Sequence, residues 1–177
     1  MSRAGAAGIA LLAGCAFVAG CASVSSSGPQ ASAYLQPTRG NSAFGRVSFT
    51  QTGDTVHLLA EVSGLEPGSE HGFHIHEVGD CSSGDGMSAK GHFNPTGKPH
   101  GHYTGAEHHA GDLPPLKADA QGRARVEADL EGISVTPGPA SIVGRGLIVH
   151  AAPDDFKTQP TGNSGARIAC AVIVKAN

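Results

Sequence analysis

Residues 71–112 read HGFHIHEVGDCSSGDGMSAKGHFNPTGKPHGHYTGAEHHAGD, and this stretch contains eight of the ten histidines in the chain. Successive side chains of a β-strand point to opposite faces, so a strand at this position places the imidazoles of His74 and His76 side by side. The rest of the stretch is rich in glycine, proline, asparagine and threonine, which predicts a long loop. A long loop with this many potential ligands is expected to be functional.

Segments of strand length, separated by turn residues, lie on both sides of the histidine loop. The segment VHLLAEV (56–62) alternates as a half-buried strand does, and DAQG (119–122) predicts a hairpin between its flanking strands. With 26 glycines, 11 prolines and no convincing helical pattern, the 177 residues predict one all-β domain, an eight-stranded antiparallel sandwich or flattened barrel with a long metal-binding loop. The predicted strands are 32–37, 43–52, 56–62, the His-x-His strand, 116–118, 124–130, 142–149 and 167–174.

The first twenty residues have the form of an export signal, with one positive charge followed by an apolar segment too short for a comfortable membrane span. LAGC ends at Cys15 and VAGC at Cys21, and both resemble a bacterial lipobox. Cys21 is favoured because cleavage before Cys15 would leave a very short apolar region. The alternative is an ordinary secretory signal with incidental cysteines. The predicted organisation is a signal peptide (1–20), a flexible tether (21–33) that starts at a lipid-modified Cys21, and the β-domain (34–177).

Cysteines and charge restrict the environment and the partners. Cys81 and Cys170 are the cysteines that remain beyond the leader, and in an oxidising compartment they are expected to form a disulfide. The formal net charge is −3, and no stretch concentrates lysine and arginine. This charge distribution argues against nucleic acid as a partner.

The potential ligands fall into two sets. His74, His76 and His150 lie in apolar, strand-like contexts (GFHIHE and GLIVHA), where a sheet can hold them rigidly. The other set comes from the loop and contains three histidines and a carboxylate: His92, His100, His109 and Asp112. Imidazole binds copper and zinc, and a closed site of three histidines and one aspartate is typical of structural zinc. Such a site would explain how a glycine-rich loop becomes ordered.

Five segments resemble, in order and spacing, the signature segments of copper,zinc superoxide dismutases. They are GFHIHEVGD (72–80), GHFNP (91–95), HAGDLP (109–114), LIVHA (147–151) and GNSGARIACAVI (162–173). The resemblance implies a Greek-key β-barrel that disproportionates superoxide, with one copper and one zinc per subunit. The short segment 155–162 and the leader resemble the bacterial exported branch of the family. A location in the periplasm, tethered to the outer membrane as a lipoprotein, is therefore expected.

The resemblance also implies roles for individual residues. Arg167 would attract the superoxide anion to the copper, and Asp154 would join His74 to His100 by hydrogen bonds. His92 would bridge the two metals and take part in catalysis, and Cys81 and Cys170 match the disulfide of the family. The implied ligands are His74, His76, His92 and His150 for copper, and His92, His100, His109 and Asp112 for zinc.

Several alternatives stay open at this stage. A non-enzymatic domain that stores or delivers metal is the rival interpretation, although such a protein should lack a copper ligand or Arg167. His108 neighbours His109 and could replace it at zinc, whereas His71 is expected to be a structural hydrogen-bonding residue. Lys90 and Lys157 are candidates for guiding superoxide. The family contains monomers and dimers, so a homodimer remains an alternative to a monomer.

Overall fold

The computed structural model describes Met1 and residues 28–176, so the predicted signal peptide, Cys15 and Cys21 lie outside the described residues. Helical structure in the described part is limited to one 3₁₀ turn at Met87–Ala89. No helix among these residues is long and apolar enough to cross a membrane. The strands are β1 (Gln30–Pro37), β2 (Phe44–Thr52), β3 (Thr55–Ser63), β4 (Glu70–His71), β5 (Phe73–His76), β6 (Leu116–Lys117), β7 (Ala124–Leu130), β8 (Gly146–His150), β9 (Arg167–Val172) and β10 (Val174–Lys175).

Eight of these strands form one curled antiparallel sheet in the order β5-β8-β9-β1-β2-β3-β7, with β10 also pairing β1. One edge of β1 is shared, because β10 pairs with Ala31–Ser32 and β9 pairs with Gln36–Pro37. The chain crosses between the two halves of the sheet three times, after β3, after β5 and after β7, and the connection after β5 contains the histidine loop. The predicted all-β antiparallel fold is confirmed.

The strands away from the histidines show the expected alternation. In β3 every second side chain from Val56 to Val62 is buried, while His57 and Glu61 face solvent. Most buried side chains of the sheet form one contiguous apolar cluster, and Ile148 and Cys170 pack with Ala89 in a second, smaller one. In β5 and β8, by contrast, every residue is buried. The curled sheet covers one face of these two strands and the histidine loop lies against the other, so His74 and His76 lie in the interior.

Three local predictions are corrected by the structure. A tight turn does form at Asp119, whose N–H donates to the Arg123 carbonyl at 2.8 Å, but no hairpin follows. Instead β6 pairs with β4 in a separate two-stranded sheet, and β7 pairs with β3. The strand predicted at 142–149 begins at Gly146, because the preceding residues form a turn closed by a 3.1 Å bond from Arg145 N to the Ile142 carbonyl.

The third correction concerns the tether, which was predicted to extend to residue 33. Strand β1 already begins at Gln30, and Ala31 and Ala33 are buried against the sheet. The Ser- and Ala-rich composition hides this strand, since small side chains pack in the core without the apolar signal of larger ones.

Candidate metal centre

Strands β5 and β8 position three histidines. The ring centroids of His74 and His76 lie 6.4 Å apart on β5. Gly146 of β8 lies opposite His76, and a Cβ at Gly146 would approach the Val78 carbonyl oxygen to 2.7 Å. His150 follows a register shift at the end of β8, and its ring centroid lies 4.9 Å from that of His74. The sheet therefore brings the three imidazoles together.

The histidine loop adds its side chains by pairing with β5. His92 lies opposite His76 in an antiparallel bridge, flanked by a 2.9 Å bond from Glu77 N to Gly91 O and a 2.8 Å bond from Phe93 N to Ile75 O. Asp112 lies opposite His74 in a second antiparallel bridge. The loop thus reaches the strand histidines through regular backbone hydrogen bonds.

Two groups of buried potential ligands result, and within each group the ligand atoms lie within 4.8 Å of one another. His92 belongs to both groups. Its Nδ1 lies 2.9 Å from Asp112 Oδ1 and 3.3 Å from His109 Nδ1, while its Nε2 is on the opposite edge of the ring. We call His74, His76, His92 and His150 the strand group, and His92, His100, His109 and Asp112 the loop group.

Hydrogen bonds on the outer ring nitrogens orient the strand group. His76 Nδ1 donates to the Lys90 carbonyl at 2.8 Å, and His150 Nδ1 donates to the Gly165 carbonyl at 3.2 Å. A carbonyl can only accept, so Nδ1 carries the proton in both rings and Nε2 keeps its lone pair. These two Nε2 atoms converge to 3.4 Å.

The remaining two members of the strand group provide the test of whether a metal fits. His74 Nε2 donates to Asp154 Oδ2 at 2.7 Å, and its Nδ1 is buried without a hydrogen-bond partner. His92 Nε2 is also buried and unpaired, and these are the two buried side-chain nitrogen or oxygen atoms without a partner among the described residues. Buried unpaired polar atoms are costly. A bound metal ion would satisfy them, so the donor set fits one.

Carboxylates organise the loop group. Asp112 Oδ2 accepts bonds from the backbone N–H of His109 (2.8 Å) and Gly101 (3.2 Å), and this leaves Oδ1 facing His92 and His100. Asp154 accepts from His100 Nε2 at 2.9 Å and also from His74. It therefore connects the two groups from outside.

His100 differs in protonation from the histidines of the strand group. Burial lowers the pKa of His74 to about 4 and that of His150 to about 3, so both rings are neutral at pH 7 and can bind a metal. Burial also acts on His100, but hydrogen bonds to Asp112 and Asp154 outweigh it and raise its pKa to about 9. Burial would raise the pKa of Asp112, but hydrogen bonds from His100 and His92 hold it well below its usual range.

Arg167 borders the centre at the start of β9. Its guanidinium donates to the carbonyls of Gly86 (2.6 Å) and Lys90 (2.5 Å), both in the histidine loop. The predicted disulfide between Cys81 and Cys170 is present, with 5.9 Å between the Cα atoms, and it attaches this part of the loop three residues from Arg167.

Three contributors to the centre were not predicted. Gln159 exchanges hydrogen bonds with the backbone of His100, at 2.8 Å to N and 2.9 Å to O. The Lys90 carbonyl binds both His76 and Arg167, although Lys90 was considered only for its charge. A Cβ at Gly162 would lie 1.9 Å from Asp154 Oδ1. Gly162 opens the segment GNSGARIACAVI, but no sequence pattern indicates its close approach to Asp154 or the roles of Gln159 and the Lys90 carbonyl.

The other histidines lie outside both groups. His71 bonds through Nδ1 to the His150 carbonyl at 2.8 Å, as expected for a structural residue. His57 is exposed beside Asp129, and His102 is exposed beside Phe156. His108 donates to the carbonyl of His109 at 2.9 Å and does not enter the loop group.

The curled antiparallel sheet and the two adjoining groups define a β-barrel protein with a two-metal centre. The family model of copper/zinc superoxide dismutase matches residues 43–173. This chain therefore belongs to the copper/zinc superoxide dismutase family. It is an oxidoreductase that dismutates superoxide and uses copper and zinc as cofactors.

Individual relatives agree with this assignment. The chain is 41% identical over 133 residues to superoxide dismutase [Cu-Zn] 1 of Aquifex aeolicus (strain VF5), which covers 73% of this chain and 79% of the relative. It is 39% identical over 148 residues to superoxide dismutase [Cu-Zn] 2 of the same organism, covering 81% and 86%. The crystal structure of the clock protein EA4 aligns with a TM-score of 0.77 at 36% identity, covering 85% of this chain and 96% of that one.

Proposed function

We propose that this protein removes superoxide in a bacterial cell envelope, with copper held by the strand group and zinc by the loop group. The observation that carries the proposal is the position of His92, the one residue common to both groups. Bound copper would supply a one-electron redox step, which zinc lacks. His92 Nε2 takes up a proton from solvent and passes it to the peroxide product, while its Nδ1 stays in the loop group.

Arg167 has the role of binding the substrate anion. Its position is fixed by two backbone carbonyls, so the guanidinium needs no rearrangement when superoxide arrives. A fixed positive charge beside the centre also raises the rate of encounter with an anion. Asp154 keeps the Nε2 atoms of His74 and His100 protonated, and so leaves the Nδ1 atoms of these rings for the metals.

Metal analysis and activity together test these assignments. Wild-type protein should bind one copper and one zinc, and His150→Ala should lose copper and dismutase activity while it retains zinc. His57→Ala is the matched control, since His57 is exposed and lies outside both groups. Full activity of His150→Ala would refute the copper assignment, and loss of zinc alone in that variant would reverse the two groups.

The envelope location rests on the leader. We propose that Cys21 is lipid-modified and tethers the enzyme to the outer membrane from the periplasmic side. Eight residues separate Cys21 from Gln30, the first residue of β1, and span at most about 30 Å when extended. The barrel would therefore remain close to the membrane surface.

Replacement of each leader cysteine distinguishes the two candidate processing sites. Cys21→Ser should abolish labelling by radioactive palmitate and release the enzyme from the membrane fraction, whereas Cys15→Ser should leave both unchanged. The opposite pattern would move the site to Cys15. Absence of label in wild-type protein would favour the ordinary secretory signal.

A further inference from the structure

A closed ring of backbone hydrogen bonds joins the three segments that carry the ligands. Ile75 N donates to Gly111 O (2.8 Å), Gly111 N to Phe93 O (2.9 Å), and Phe93 N to Ile75 O (2.8 Å). Each member is adjacent in sequence to a ligand, because Ile75 lies between His74 and His76, Phe93 follows His92, and Gly111 precedes Asp112.

Glycine is required at one position of this ring. A Cβ at Gly111 would lie 2.2 Å from the Ile75 carbonyl oxygen and 3.0 Å from Phe93 N. Any larger residue would force the segments apart. The ring therefore sets the distance between the strand that carries His74 and His76 and the two loop segments.

Arg145 holds this arrangement from a fourth segment, just before β8. Its guanidinium carbon lies 3.6 Å from the centroid of the Phe93 ring, which is buried. Its Nη1 donates to the Glu77 carbonyl at 2.9 Å, and its Nε donates to the Ser141 carbonyl at 2.8 Å. The planar fork of arginine can make both bonds while it stacks on the aromatic face, which lysine cannot do.

The contacts of Arg145 flank the pair formed by His76 and His92. Glu77 follows His76 and Phe93 follows His92 in the sequence, so one guanidinium contacts the backbone next to one ligand and the side chain next to the other. We propose that Arg145 is a positioning residue that fixes the spacing of His92 and His76 through Phe93 and Glu77. This inference rests on the ligand assignments proposed above.

Replacement of Arg145 by methionine tests the role, because methionine keeps an unbranched apolar side chain and removes the charge and the hydrogen bonds. Arg145→Met should release copper and zinc to a chelator about tenfold faster than wild type, the lower end of the effect of residues that orient metal ligands. The absorption and electron paramagnetic resonance spectra of its copper(II) should also shift. Arg145→Lys should show an intermediate rate.

Two matched controls separate positioning from a general loss of stability. Arg46→Met removes a guanidinium that lies 5.8 Å from the exposed Tyr34 ring, and it should leave release rates and spectra unchanged. Val135→Ala truncates a buried core residue outside the ring and both ligand groups, and it should lower the melting temperature without moving the copper spectrum. A spectral shift in Val135→Ala as large as that in Arg145→Met would overturn the proposal.

The remaining outcomes are also decisive. Wild-type release rates and spectra in Arg145→Met would refute the positioning role. If Arg145→Met does not fold, Phe93→Leu removes the aromatic face and keeps Arg145, and it should release both metals several-fold faster; wild-type behaviour would again refute the role. Failure of wild-type protein to bind the two metals would instead refute the proposed function, so the two failures are distinguishable.

Discussion

Lys90 adopts a backbone conformation, φ 62° and ψ −144°, that L residues rarely adopt. Such strain costs about 1–3 kcal/mol, whereas glycine loses about 0.5–1 kcal/mol of chain entropy on folding. Lys90→Gly should therefore stabilise the metal-free protein by about 1 kcal/mol in urea unfolding. The carbonyl that accepts from His76 and Arg167 belongs to the backbone and is retained.

Lys90→Ala separates the charge of Lys90 from its backbone strain. Alanine removes the ammonium but keeps the Cβ, so it should lack the stabilisation seen with glycine. If the ammonium of Lys90 guides superoxide, Lys90→Gly and Lys90→Ala should lose the same fraction of the dismutation rate at low ionic strength. Equal stability of the two variants would show that the backbone at Lys90 is unstrained.

His100 predicts a proton release that accompanies zinc binding. Its carboxylate partners raise its pKa to about 9, so in the metal-free protein at pH 7.5 both ring nitrogens carry protons. Zinc needs the lone pair of Nδ1, while Nε2 keeps its bond to Asp154. Zinc binding should therefore release about one proton from His100.

Calorimetry in buffers of different ionisation enthalpy measures the number of protons released for each zinc ion bound. Protons should be released and not taken up, because the raised pKa keeps the extra proton on His100 below about pH 9. The release should therefore decrease as the pH rises through that value. Asp154→Asn removes one of the two negative partners and should reduce the release at pH 7.5. An unchanged proton count in this variant would contradict the assigned origin of the shift.

At the scale of elements, the disulfide connects the histidine loop to β9. It closes a loop of 89 residues, and the chain-entropy model assigns to such a loop about 4–5 kcal/mol of stability. The double variant Cys81→Ser with Cys170→Ser should lose up to this amount. It should also lose a larger fraction of its activity than of its bound copper. The reason is that the Gly86 and Lys90 carbonyls that hold Arg167 lie in the part of the loop that the disulfide attaches.

The ratio of activity to bound copper measures how far Arg167 is displaced when the disulfide is removed. A ratio equal to that of wild type would show that Arg167 is held without the disulfide. Val135→Ala again serves as the control, since Val135 is a buried core residue outside both ligand groups.

The sequence was informative where the pattern of side chains determines the structure, and uninformative where backbone groups determine it. Alternating apolar residues predicted β3 and β7 to within two residues, since a half-buried strand needs that pattern. The pairing of β6 with β4 could not be predicted from the adjacent turn, because a turn restricts direction and not partner. The contribution of the Lys90 carbonyl was equally invisible, since every residue has a carbonyl.

For the molecule as a whole, the metals and the apolar core stabilise different parts. The core cluster is built mainly from the strands and also includes Phe93 and Leu113 of the histidine loop, whereas the segment 101–109 depends on bonds to ligand side chains, such as the two backbone N–H groups that donate to Asp112. The metal-free protein should therefore keep the sheet folded and lose order in the loop. Binding of zinc to the folded form should restore the loop and raise the melting temperature.

Hydrogen exchange resolves the two parts. In the metal-free protein the amides of β2 and β3 should retain strong protection, while those of Gly101 and His109 should exchange at least tenfold faster than in the zinc-loaded form. Zinc alone should be sufficient, because Asp112 accepts both of these amides and belongs to the loop group. The Gly111 amide should retain intermediate protection, since its acceptor is the Phe93 carbonyl in the backbone ring. Simultaneous loss of protection in β3 and the loop would show that the metals and the sheet form one cooperative unit.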